Sequence, residues 1–118
     1  MTINVKGGKK FERDIANKTV KWSIKRLGLS RIRRLDIFVK IKKLSDCAGY
    51  CEKPNGDDRS FIVAVDNNQS LRSFVMTVIH EMVHVKQYVR NKWDDNGESE
   101  AWCLQETLVD EIWKDNIL

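Results

Sequence analysis

The chain has no apolar run near the ~18 residues that a membrane-spanning helix needs. Its longest candidate, Phe61-Ile-Val-Ala-Val65, is strand-sized. The first ten residues, Met1 to Lys10, lack the apolar core of a secretory signal. There is no repeat and no low-complexity tract. The three cysteines are an odd number, and without a secretory signal they read as free thiols in a reducing compartment, so a cytoplasmic protein is expected. Cys47-x-x-x-Cys51 is at most half a structural metal site, because no second pair follows. Histidine is scarcer still: His80 and His84 are the only two in 118 residues. What remains is one domain of ordinary globular composition, 42% hydrophobic and 32% charged, large enough to bury a modest core.

Charge is unevenly spread. Residues 1–43 hold fourteen Lys/Arg against three Asp/Glu, a net of +11; residues 44–118 hold seven against fourteen, a net of −7. A basic first third can attract DNA or another polyanion, although many solvated surfaces are equally basic without a partner. Trp22 lies in this region, where it could stack on a base. Its apolar neighbours Ile15 and Val20 favour a place in the core.

In chain order, residues 1–10, with Gly7-Gly8 and several lysines, read as a flexible basic arm. The apolar stripe of Phe11, Ile15, Ala16, Thr19, Val20, Trp22, Ile24 and Leu27 predicts an amphipathic helix over 11–27, ended by Gly28. Leu35 to Lys42 alternates Ile37, Val39 and Ile41 against Asp36, Lys40 and Lys42, a half-buried strand interrupted by Phe38. Residues 47–53 suggest a second short strand, and Pro54-Asn-Gly-Asp-Asp58 a turn. Phe61–Val65, apolar throughout, predicts a central strand. A helix from about Leu71 to Arg90 follows, N-capped by Ser70 and apolar nearly all round. A polar loop over 91–97 leads to a last helix from about Glu98 to Lys114. The expected fold class is α+β: an N-terminal helix, a short, mostly three-stranded sheet and two C-terminal helices.

The two histidines fall at one place, His80-Glu81-Met82-Val83-His84. This is H-E-x-x-H on a predicted helix, where residues i and i+4 lie one turn apart on one face. Two imidazoles so placed can converge on one metal ion, and Glu81 can reach a water on it. A wet helix face can also carry histidines at that spacing, so the helical context has to hold. A catalytic zinc usually takes three protein ligands, and no third histidine exists. A cysteine or carboxylate must complete the set; Glu98, Glu100, Cys103 and Glu106 are the candidates. Steps of three and four from Glu98 give Ala101, Trp102, Gln105, Leu108, Val109 and Ile112, an apolar stripe. A carboxylate there is costly to desolvate unless it is paired or bound to metal. Glu98 could instead serve the positive end of its own helix dipole. The stripe through Glu100 runs to Glu111 and Lys114, so Glu100 reads as surface, and Glu100→Ala is expected to leave zinc nearly unchanged.

His80-Glu81-Met82-Val83-His84-Val85-Lys86-Gln87-Tyr88, followed by Glu98-Ser99-Glu100-Ala101, resembles the gluzincin metallopeptidases, and among them the small SprT-like proteins, including phage-encoded ones. The similarity spans roughly residues 60–105. It implies a zincin-like domain, a Zn2+ cofactor held by His80, His84 and Glu98, and Glu81 as general acid/base. It further implies peptide or protein substrates, and makes a protein attached to DNA a plausible one. The chain departs from many relatives in its short link between His84 and Glu98. The longer three-histidine motif of metzincins is absent. Tyr50 and Tyr88 are candidate donors to an oxyanion, though either can be ordinary amphipathic packing. An exposed strand edge beside the motif helix could hold an extended peptide. The competing reading is a non-catalytic nucleic-acid- or protein-binding module with a relic or structural metal site.

Overall fold

A computed structural model describes residues 1–53, 59–90 and 97–118. The expected turn at Pro54–Asp58 and the first six residues of the expected 91–97 loop lie outside the described residues. The elements are β1 (Thr2–Gly7), α1 (Lys10–Arg26), β2 (Asp36–Lys42), β3 (Gly49–Glu52), β4 (Ser60–Asp66), α2 (Leu71–Arg90) and α3 (Glu98–Lys114). The described residues therefore form a small α+β domain of three helices and one four-stranded sheet.

The sheet order is β1-β2-β4-β3. β1 pairs with β2, and β2 with β4, in parallel; β3 pairs with β4 antiparallel. Two expectations need correction here. The sheet has four strands, not three, and residues 2–7 are one of them rather than a flexible arm. Ile3 and Val5 are half-buried against the core, while Asn4 and Lys6 point outward, so the alternation is a strand's. The glycines that suggested flexibility make a fixed turn into α1. Gly7 and Gly8 have φ of +89° and +62°, and a Cβ on Gly7 would collide with the Ile41 carbonyl oxygen. Arg13 Nη1 donates to the Gly8 carbonyl at 2.6 Å, and Glu12 accepts the Lys9 N–H at 2.7 Å.

β4 lies between two neighbours, as its unbroken apolar run implied. Ile37, Val39, Ile41, Phe61, Val63 and Val65 face the helices and are at most 3% exposed. Burial of each such side chain contributes about 1.5–3 kcal/mol before entropy is counted. α1 packs on β1 and β2, α2 on β3 and β4, and α3 on α2. Ser70 Oγ accepts the Ser73 N–H at 3.2 Å, which makes Ser70 the cap of α2. Trp22 is half-buried against the core and its Nε1 donates to Asp115 Oδ2, tying α1 to the end of α3. Arg26 binds Glu111 across the same contact. No helix among the described residues is long and apolar enough to cross a membrane.

Candidate metal centre

α2 and α3 run antiparallel. Glu98 lies beside His84, Gln105 beside His80, and Arg72 reaches Asp110 at 2.8 Å. The first turn of α3 is thereby laid across the middle of α2, where the two histidines share a face. Ala101, fully buried, permits the close approach. His84 Nε2 lies 2.7 Å from Glu98 Oε1, and His80 Nε2 lies 3.5 Å from Glu98 Oε2. One ligand atom from each of the three falls within 4.8 Å of the others. His80 and His84 are each 8% exposed.

The far side of each ring is also held. His84 Nδ1 meets Gln87 Oε1 at 2.8 Å, and His80 Nδ1 meets Gln105 Oε1 at 2.9 Å. The Gln87 amide has its orientation set by its own NH2, which donates to the Gly97 carbonyl and to Glu100 Oε1, both at 2.9 Å. Its oxygen is therefore the atom turned to His84, and His84 Nδ1 must carry the proton. In the neutral ring the Nε2 lone pair then faces the Glu98 carboxylate. At 2.7 Å the two atoms are within hydrogen-bond distance, close enough also to serve one metal ion together. Two imidazole Nε2 atoms and one carboxylate, with both Nδ1 atoms occupied behind them, is a donor set that suits Zn2+. His80, His84 and Glu98 are the residues that would hold it.

Partial desolvation pushes the Glu98 carboxyl upward, but the two imidazoles outweigh this and hold it below the ordinary carboxylate value. Glu81 behaves in the opposite way. It is 5% exposed, and burial pushes its carboxyl up to about 7; His84 pulls it down, and Glu98 adds to the rise. A cavity of about 680 Å³ opens over these groups, lined by Tyr50, Thr77, Glu81, Tyr88 and Trp102 among others. Its floor is α2, and β3 and α3 are its walls. Gly49 lets β3 close on α2: a Cβ there would lie 2.6 Å from Thr77 Cγ2 and 2.7 Å from the Ala64 carbonyl oxygen.

Of the residues singled out from sequence, His80, Glu81, His84 and Glu98 come together at this cavity, and Tyr50 and Tyr88 line it. The Tyr88 ring also packs against Phe61, with centroids 5.7 Å apart. Ala101, Gln105, Leu108, Val109 and Ile112 are the buried face of α3, but Trp102 is 61% exposed and not part of it. Glu100 is half-buried rather than a free surface carboxylate, bonded to Gln87 and 3.5 Å from Lys86 Nζ. Gln87, one turn after His84, and Gln105, on the stripe of α3 that faces α2, hold the two rings from behind, a role that periodicity alone does not assign. Cys103 and Glu106 are exposed and outside the cluster. Cys47, Cys51 and Cys103 are free thiols. Burial, then Glu81 and Glu52, push the Cys51 thiol far up, which keeps it neutral and unreactive. The exposed basic residues of the first third, Lys18, Lys21 and Lys25 on α1 and Arg31, Arg33 and Arg34 in the connection to β2, belong to elements that do not line the cavity. Comparison with protein-family models, with curated proteins and with solved structures finds no match for this chain.

Proposed function

We propose that this protein is a zinc-dependent metallopeptidase of zincin-like, gluzincin type that hydrolyses peptide bonds in a peptide or protein substrate. The observation that carries the reading is the convergence of His80, His84 and Glu98 in a cavity that also holds a buried carboxylate, Glu81, which no ligand role requires. A purely structural site has no need of Glu81. When bound, Zn2+ supplies a Lewis acid that acidifies water and polarises a carbonyl. The chain's own residues do the rest. Glu81 accepts the proton of the attacking water on its carboxylate and returns it to the nitrogen of the leaving amine. A carboxylate buried beside the candidate ligands is placed for both transfers. Gln87 and Gln105 hold the imidazoles in one orientation, so no ring has to turn during the reaction. Tyr50 and Tyr88 are the hydroxyl donors available to a developing oxyanion. β3 ends the sheet at the cavity, and its outer backbone edge can pair with an extended substrate.

The test combines elemental analysis of protein purified without added metal with digestion of a broad peptide library. One zinc per chain, lost in His80→Ala and His84→Ala, is expected, with hydrolysis abolished in a zinc-retaining Glu81→Gln variant. Undiminished turnover in Glu81→Gln would place the chemistry elsewhere. Zinc without hydrolysis under any condition would favour the alternative, a binding module with a structural or relic metal site.

A further inference from the structure

Trp102 is the most exposed large hydrophobic side chain among the described residues, at 61%. It does not sit on an anonymous surface. It lies one turn after Glu98 and one turn before Gln105, the two α3 residues that reach the histidines, so it is on the face of α3 that meets the candidate centre. Its ring stands edge-on to His80, with centroids 5.3 Å apart and planes at 72°. Its ring is a wall of the cavity. Because α2 and α3 are antiparallel, the next α2 residue along that wall is Met76, one turn before His80, half-buried and also lining the cavity. Ser73 and Thr77 add small side chains beside it. The indole and the thioether thus line the same cavity as the groups that would act on the peptide bond, and they supply its apolar part on this side.

An indole left in water at this place loses apolar hydration only when something covers it, and no described residue does. Its flat ring is rigid and pairs best with another ring or a broad aliphatic group. Met76, with three rotatable bonds, adapts its shape to the occupant. An anionic side chain would gain nothing there, with Glu81 and Glu98 lining the same cavity. We propose that Trp102 and Met76 form a specificity subsite that selects substrates carrying an aromatic or large aliphatic side chain next to the cleaved bond. This rests on the metallopeptidase reading for the word substrate, but the apolar part of the cavity is itself independent of metal.

Two measurements separate the subsite from the chemistry. In the first, the four tryptophan indole N–H signals of 15N-labelled protein are followed by NMR, with Trp102 assigned from Trp102→Phe. Titration with N-acetyl-phenylalaninamide and N-acetyl-leucinamide should shift the Trp102 signal saturably, in metal-free and zinc-loaded protein alike. N-acetyl-glycinamide should not shift it. In the second, the kcat/KM ratio for phenylalanine over alanine beside the cleaved bond should fall about tenfold or more in Trp102→Ala, and about threefold or less in Trp102→Phe. Circular dichroism should match the parent in both variants, because most of the side chain is exposed, and the ratio is compared at equal zinc occupancy because the ring also touches His80. An unmoved Trp102 signal, or a ratio unchanged in Trp102→Ala, overturns the subsite even if hydrolysis is robust. A saturable Trp102 shift in a protein that neither binds zinc nor cuts peptides overturns the peptidase reading and leaves the apolar binding site standing.

Discussion

Replacing Gln87 tests whether the hydrogen bonds behind His84 hold the candidate centre together. Gln87 is 2% exposed and bonds His84 Nδ1, the Gly97 carbonyl and Glu100; of these, the Gly97 carbonyl also accepts from the Ala101 N–H and Glu100 also lies near Lys86. Gln87→Leu keeps roughly the volume and removes all three. His84 can then rotate or take its other tautomer, which turns the Nε2 lone pair away from the Glu98 carboxylate. Loss of an outer partner of a metal-bound histidine typically costs about 10–100-fold in metal affinity, or about 1.4–2.7 kcal/mol. The Gly97 carbonyl keeps only its longer bond from the Ala101 N–H, at 3.4 Å, so losing the Gln87 bond costs about 0.5–1.5 kcal/mol of fold stability on top of this. Zinc affinity by competition with a chromogenic chelator should therefore fall about 10–100-fold in Gln87→Leu, and the unfolding midpoint of the metal-free protein should fall as well. Glu100→Ala removes only one of the two acceptors that set the Gln87 amide, and a loss of about tenfold or less is expected. Glu98→Ala, which deletes a donor, should exceed both. Parent-like zinc affinity in a folded Gln87→Leu variant would refute the reasoning that the amide fixes the His84 tautomer. A larger loss for Glu100→Ala than for Glu98→Ala would mean that the face assigned to α3 is wrong.

The Glu81 carboxyl gives the metal-free protein a signature in pH. Its folded value, about 7, lies above the ordinary 4.5, so the folded state binds that proton more tightly than the unfolded chain; the resulting stabilisation is full below pH 4.5 and lost as pH rises through 7. Glu81→Gln should match the parent near pH 4 and exceed it above pH 7.5 by on the order of 3 kcal/mol in urea titrations with chelator present; parallel pH profiles would show that burial does not strain this group. Gly49→Ala puts a methyl into the Thr77 side chain and the Ala64 carbonyl and should cost about 1–3 kcal/mol in the same assay; an unchanged midpoint would mean that β3 is not clamped on α2. The cationic groups on α1 and after it should give weak, sequence-tolerant DNA binding by fluorescence anisotropy, falling steeply with salt and losing slope in a Lys18/Lys21/Lys25→Gln triple variant; absence of binding at low salt would leave them as solvated surface.

Local pattern decided much of this protein. The alternation of Ile37, Val39 and Ile41, the unbroken apolar run of β4, the Ser70 cap and the stripe from Ala101 to Ile112 each act through side-chain periodicity within one element, and each is present in the structure. The pairing of His80 with His84 is likewise a property of a single helix. Tertiary structure decided what depends on a neighbour far along the chain. β1 is a strand because β2, more than thirty residues away, supplies its hydrogen-bond partners; alone, the lysines and glycines of residues 1–10 look like a loose arm. Glu100 lies on a polar stripe of α3, yet Gln87 reaches it from α2, and no periodicity within α3 reveals that. Trp102 belongs by phase to the buried stripe but emerges into the cavity, because α2 covers α3 only over part of its width. Gly49 carries no pattern at all; its need for a bare Cα arises only where β3 is pressed against Thr77. Spacing along one helix is set by 3.6 residues per turn, whereas the meeting of two elements is set by the whole core that packs them.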